Sequence, residues 1–148
     1  MRTISVSNRF FALAAEHLAD GLTVRIKVQG ESMYPFLHSG DEIEIVPVKD
    51  GEDIPLWTAV FYEWNGSFMV HRLVNKRGDE YDMLGDGNLV RIETLKRSEI
   101  KGVLNRCFRK NGKVVDCRSE KWLNRGKFWF KIRRIRKYVA KLLRMLGV

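Results

Sequence analysis

From Leu22 to Gln29 apolar and polar residues alternate: Leu22, Val24, Ile26 and Val28 are set against Thr23, Arg25, Lys27 and Gln29. A period of two is the mark of a strand with one buried face. Further short runs bounded by turns predict strands over 42–46, 58–64, 67–75, 80–84, 101–109 and 113–118, with glycine-containing turns at Gly40, Gly51, Gly66, Gly78, Gly85, Gly87 and Gly112. Two segments have a helical period instead. Phe10, Phe11, Leu13, Ala14 and Leu18 fall at helical spacing behind Ser7, a good N-cap, and Asp20-Gly21 ends the run. From Lys127 onward Trp129, Ile132, Ile135, Val139, Leu142, Leu143 and Leu146 form one stripe, with Lys131, Arg134, Lys137, Lys141 and Arg144 mostly opposite or beside it. The pattern predicts a mainly β domain over 22–120, a short N-terminal helix within 1–21 and a basic amphipathic tail helix within 121–148.

The length of 148 residues, with 45% hydrophobic and 30% charged, fits one compact domain with short appendages and reads against disorder or a disulfide-rich miniature fold. Uncharged stretches such as 10–15 and 54–62 fall well short of the roughly 20 apolar residues of a transmembrane helix. The first of them runs into Glu16, His17 and Asp20 with no small-residue cleavage site, so no secretory signal is expected and the sequence predicts a cytoplasmic location. The net charge of +9 is local: the tail from Lys121 holds ten basic residues and no acidic one, while the first 120 residues carry 17 basic and 18 acidic.

Cys107 and Cys117 flank a hairpin turn signal at Asn111-Gly112. A two-residue turn would set Cys107 opposite Asp116, with the thiols on opposite faces. A three-residue loop with a bulge would set it opposite Cys117, where a bridge becomes conceivable. Without an export signal, free thiols are the expectation.

The segment Gly30-Glu31-Ser32-Met33-Tyr34-Pro35-Phe36-Leu37-His38-Ser39-Gly40-Asp41 lies between two predicted strands and holds residues that restrain a loop. Pro35 limits its own φ and the conformation of Tyr34, and Gly40 permits a sharp turn into the next strand. A serine on such a loop is a candidate nucleophile once a base removes its proton, and His71, in the predicted strand 67–75, is a natural base near neutrality. The bland alternative makes Ser32 a turn residue and His71 a satisfied sheet residue. Asp41 is expected to be structural, bonding to loop amides. His17 and His38 have no metal-ligand spacing, and no cofactor or metal is expected.

The ordered boxes Ser32-Met33-Tyr34-Pro35, Gly40-Asp41 before a hydrophobic strand, His71-Arg72, and Gly85-Asp86-Gly87-Asn88 resemble those of the S24/S26 serine peptidases, over about residues 22–105. That superfamily includes type I signal peptidases and LexA-like self-cleaving repressors. In that superfamily the bacterial signal peptidases and LexA-like proteins use lysine as the base, whereas the endoplasmic-reticulum and SipW-like signal peptidases have histidine there; with His71 this chain resembles the Ser/His branch. The resemblance implies a serine endopeptidase of a peptide or protein precursor. Ser32 would be the nucleophile, His71 the general base, and the Ser32 backbone N–H an oxyanion donor. Asp86, in the last box, would support the site or orient His71. The Ser/His branch also places an acidic residue a few positions later, where this chain has Leu89, Val90, Arg91, Ile92 and Glu93. A second oxyanion donor common in signal peptidases, a serine two positions before the nucleophile, is replaced by Gly30.

Signal peptidases usually carry a membrane anchor ahead of the serine box, where this chain has only the helix predicted around 8–19. The basic tail has three readings: packing on its own domain or a partner, lying on an anionic membrane surface, or binding nucleic acid. Its aromatic residues Trp122, Phe128, Trp129, Phe130 and Tyr138 favour membrane over nucleic acid, with the domain held at the inner membrane surface. LexA-type self-cleavage is not favoured, because the segment before the serine box is short. The rival from another class is a catalytically decayed peptidase fold that binds a protein or a membrane.

Overall fold

A computed structural model of the chain describes residues 6–88 and 91–147. They form helix α1 (Val6–Ala19), strands β1 (Val24–Lys27), β2 (Glu42–Val46), β3 (Ala59–Trp64), β4 (Ser67–Arg77), β5 (Glu80–Leu84), β6 (Glu93–Lys96), β7 (Ile100–Phe108) and β8 (Val114–Asp116), and helices α2 (Glu120–Lys131) and α3 (Arg133–Met145). The fold is mainly antiparallel β, with a short N-terminal helix and helices at the C-terminal end. Helix α1 begins at Val6, so Ser7 stands within its first turn; the Ser7 side chain, the expected cap, lies outside the described residues.

The strands make one sheet in the order β1-β2-β7-β3-β4-β5-β6. Every pairing is antiparallel. Strand β7 ties the two halves: β2 runs along Val103–Phe108 on one side, while β3 and then β8 share the other side. Register shifts in β2–β7, β3–β7 and β4–β5 mark bulges that bend the sheet. Bending divides the apolar side chains into two cores. One gathers Ile26, Ile43, Phe61 and Leu104 beneath α1, the 30–37 loop and Trp122. The other gathers Val60, Tyr62, Leu73, Met83 and Leu95 on the opposite face.

Hence residues 71–74 of β4 are buried on both faces. Val60 of β3 stands opposite His71 and Ala59 opposite Arg72, so these two neighbours in sequence point to opposite sides of the sheet.

The hairpin register differs from both readings of the cysteines. Phe108 pairs with Val114 and Cys107 with Val115, and the turn is closed by Arg109 N–H to the Lys113 carbonyl, so Asn111-Gly112 sits inside a longer loop. Both thiols are free and buried in the core, which pushes them upward, Cys107 to about 11 and Cys117 to about 12.

The tail also differs from the single helix expected. Ser119 caps α2 by accepting from Trp122 N–H, and one residue with non-helical dihedrals, Ile132, separates α2 from α3. Trp129 Nε1 and Arg136 both donate to the carbonyl of Asp86, at 2.8 and 3.0 Å. Residues 129 and 136 lie two helical turns apart, about 10 Å along an axis, and their long side chains close that gap on one oxygen. Of the three readings of the tail, α2 takes the first: it packs on its own domain, with Trp122 and Gly126 buried.

Gly126 lies on Arg72. A Cβ there would fall 2.1 Å from an Arg72 guanidinium nitrogen, with the group already enclosed between the rings of Trp122 and Phe36. Gly126→Leu is therefore expected to lift α2 from the sheet and lower the melting temperature, a change that thermal unfolding followed by circular dichroism would register. An unchanged transition would mean that α2 does not depend on this contact.

Candidate active site

Ser32, His71 and Glu93 line one cavity of about 440 Å³, with walls that include Ile26, Met33, Phe61, Phe68 and Val70 and with Lys27, Asn88 and Arg91 also present. The 30–37 loop carries Ser32 at an exposed position. It is pinned from beneath: Met33 and Leu37 are buried, and Leu37 N–H donates to the Met33 carbonyl. Asp41 holds the far end of the loop, accepting from His38 N–H and from Arg109, which also donates to the Phe36 carbonyl. Burial works against the Asp41 carboxylate, yet these donors outweigh it and hold the carboxyl below its usual range. Asp41 is thus a structural residue.

The turn after β5 brings the loop to His71. Arg72 pairs with Leu84, so Gly85 comes next to His71. A Cβ on Gly85 would lie 2.6 Å from the Ser32 carbonyl oxygen and 3.1 Å from Cδ2 of His71, and one on Gly87 would lie 2.6 Å from the Glu31 carbonyl oxygen. Gly87 N–H donates to the Ser32 carbonyl at 2.9 Å. Both glycines of the Gly85-Asp86-Gly87-Asn88 box are therefore places where the turn touches the serine loop. Gly85→Ala is expected to push that loop away and to abolish whatever chemistry Ser32 performs while the sheet stays folded, to be checked by comparing activity with the circular dichroism spectrum.

His71 is 7% exposed, and its ring is held on one side only. Nδ1 lies 3.0 Å from Glu93 Oε1 and 2.9 Å from the Tyr62 hydroxyl, which itself donates to Glu93 Oε1 at 3.0 Å. Burial, with the Glu93 charge beside it, pushes the Tyr62 phenol far up, so it stays a donor. With the Glu93 carboxylate accepting, Nδ1 carries the hydrogen and Nε2 the lone pair. Among the described residues Nε2 has no hydrogen-bond partner, and the ring edge that carries it, the Cδ2 side, is the one turned toward the turn and Ser32. Burial lowers the His71 pKa and the Glu93 carboxylate opposes part of that shift, so the ring is neutral near pH 7.

Glu93 is 2% exposed and, among the described residues, its Oε2 has no hydrogen bond. A carboxylate so poorly solvated gains strongly from a positive charge forming on the imidazole it faces. Among the described residues no hydrogen bond joins Ser32 Oγ to His71, and the Ser32 backbone N–H has no acceptor. Gly30 has φ 85°, a conformation that a serine would adopt only with strain, so this loop offers no hydroxyl there.

Asp86 has a different setting from the one its box suggested. Both of its carboxylate oxygens are taken by Arg72, at 2.7 Å each, and the pair is sealed from solvent. It does not bond to His71; its backbone carbonyl anchors the tail. Glu93, at the start of the short strand β6, is the acidic partner of His71, and Tyr62 is a further one that the sequence did not single out. Tyr62 is a core-facing strand residue by pattern, and only the β3–β4 register brings its hydroxyl to His71.

No protein-family model matches the chain, and no curated protein matches it.

Proposed function

We propose that the protein is a serine endopeptidase of the signal-peptidase-like type, with Ser32 as nucleophile, His71 as general base and Glu93 as the residue that orients His71. The observation that carries this reading is the one-sided holding of His71. Glu93 and Tyr62 occupy Nδ1, which leaves the basic Nε2 open on the cavity that Ser32 also lines. In the reaction, Nε2 takes the proton from Ser32 Oγ as that oxygen attacks the scissile carbonyl. The Ser32 N–H receives the oxyanion, the imidazolium returns its proton to the leaving amine, and water repeats the sequence to release the acyl group. Catalytic hydrogen bonds are often long in a resting enzyme and tighten with substrate bound, which accommodates the unbonded Ser32 hydroxyl. The apolar cavity wall suits an extended precursor segment with an apolar side chain.

The competing reading is a binding module on a decayed site, favoured by the same unbonded hydroxyl. Digestion of a complex peptide library, read by mass spectrometry, separates the two. New termini that appear with the full chain and vanish with either Ser32→Ala or His71→Ala support the peptidase, and no new termini above the variants' background favours the module.

Two further results are expected of a peptidase. Because His71 must be neutral to act and burial depresses its pKa, the cleavage rate is expected to hold from neutrality down through the ordinary histidine range near pH 6.5 and to fall only below it. Glu93→Gln is expected to lower kcat about 10³- to 10⁴-fold by freeing the ring to take the wrong tautomer. Since Glu93 raises the His71 pKa, its loss moves the acid limb of the pH profile to still lower pH. An acid limb that does not move on Glu93→Gln would remove Glu93 from this role.

A further inference from the structure

The Arg136 and Trp129 contacts with Asp86 fasten the start of the tail, but α3 beyond them presents its apolar side to solvent. Ile135, Tyr138, Val139, Leu142, Leu143 and Leu146 are 44% to 71% exposed. At 100° per residue these six fall on one arc of the helix, and Arg134, Lys137, Lys141 and Arg144 fall on the opposite one. The helix carries six basic residues, no acidic one, and adjoins Lys121, Arg125, Lys127 and Lys131 on α2.

We propose that α3 is an interfacial helix that lays this apolar side into the surface of an anionic bilayer. The proposal does not depend on the peptidase reading. Charge selects the occupant: ten cations without an anion complement an acidic lipid surface, and each cation near such a surface strengthens attachment roughly fivefold. A second copy of the chain is disfavoured by the same charge, since two such helices would bring like cations together. A nucleic acid would use the basic side and leave the six apolar residues in water. No helix among the described residues is long and apolar enough to cross a membrane, so α3 lies along the surface, where a strongly amphipathic helix of this length is held by buried apolar area plus attraction to acidic headgroups.

The test is co-sedimentation of the full chain with vesicles of phosphatidylcholine alone or mixed with phosphatidylglycerol. Binding is expected to the mixed vesicles and not to the neutral ones. Leu142→Glu with Leu143→Glu is expected to weaken it at least about tenfold. Lys137→Gln with Lys141→Gln is expected to weaken it roughly thirtyfold. Lys141, Leu142 and Leu143 lie at least five residues beyond Arg136, and Lys137, although next to it, is an exposed residue outside the Asp86 tie; an unchanged melting temperature in the lysine pair keeps the result interpretable if the leucine pair fails to fold. No binding, or equal binding to both kinds of vesicle, overturns the proposal. So does tighter binding to double-stranded DNA that the leucine pair leaves intact, which would make α3 a nucleic-acid element. A dimer in solution that the leucine pair dissociates would instead assign the face to a second copy, and would equally overturn it.

Discussion

Ser32→Ala is expected to lower cleavage by about 10⁴-fold or more while leaving the fold as it is. Ser32 is exposed, its side chain has no hydrogen bond among the described residues, and its contacts with the Gly85–Asn88 turn run through its backbone carbonyl, which alanine keeps. The loss is thus chemical, with no structural component to confuse it. His71→Ala should fall as far, because a serine hydroxyl without its base is nearly inert. The double variant should fall no further, since the two act as one unit and their effects do not add. The measurement is the rate of release of one library-derived product under single-turnover conditions, with melting temperatures alongside. Residual cleavage within tenfold of the unchanged chain would show that another group attacks the substrate, and additive losses would show that Ser32 and His71 work apart.

Asp86→Ala is expected to produce the largest loss of stability. It leaves Arg72 with its charge enclosed, retaining the Trp57 carbonyl as acceptor and two aromatic faces. Breaking one side of a buried ion pair costs about 3–5 kcal/mol, a large part of the roughly 5–15 kcal/mol that holds an ordinary domain together. At 2–4 °C per kcal/mol for a chain of this size, the melting temperature should drop by roughly 6–20 °C. Arg72→Met in the same chain should restore much of it by removing the stranded charge. Thermal unfolding of the two single variants and the double variant makes the cycle. If Asp86→Ala leaves stability unchanged and lowers only the rate, the carboxylate acts on His71 and its bond to Arg72 is incidental.

The comparison of these two residues shows where a sequence is readable. Strands β2 and β5 have the predicted bounds, and β3, β4 and β7 lie within two residues of theirs, because alternation of apolar residues between glycine turns records a buried face directly. Strand β6 was not predicted: in Glu93-Thr94-Leu95-Lys96 a single apolar residue stands among polar ones, and the strand exists because β5 offers it an edge. Glu93 was among the positions that the resemblance pointed to, yet nothing local marks it as the partner of His71. Asp86 sits in a recognisable box, but which group it faces is decided by the β4 register, which sends Arg72 to the tail's side of the sheet and His71 to the other. Ser32 and His71 could be named as candidates by residue type and loop context, but it was the resemblance of the ordered boxes that raised them above a turn serine and a sheet histidine; their common cavity is a product of the Gly85 turn, which no periodicity reveals. In the tail, the apolar stripe was legible and the break at Ile132 was not, since the stripe runs through it and no proline or glycine marks the place.

That carbonyl has a consequence for how the molecule opens. The turn that touches both Ser32 and His71 is tied through one oxygen to Trp129 and Arg136, and through its carboxylate to the guanidinium on which Gly126 rests. Release of α2 would uncover Arg72 and loosen the turn in the same event. The helix, the turn and the serine loop therefore form one cooperative unit of local unfolding, whose amides should exchange with solvent deuterium at a shared free energy, below that of the central strands β3 and β7.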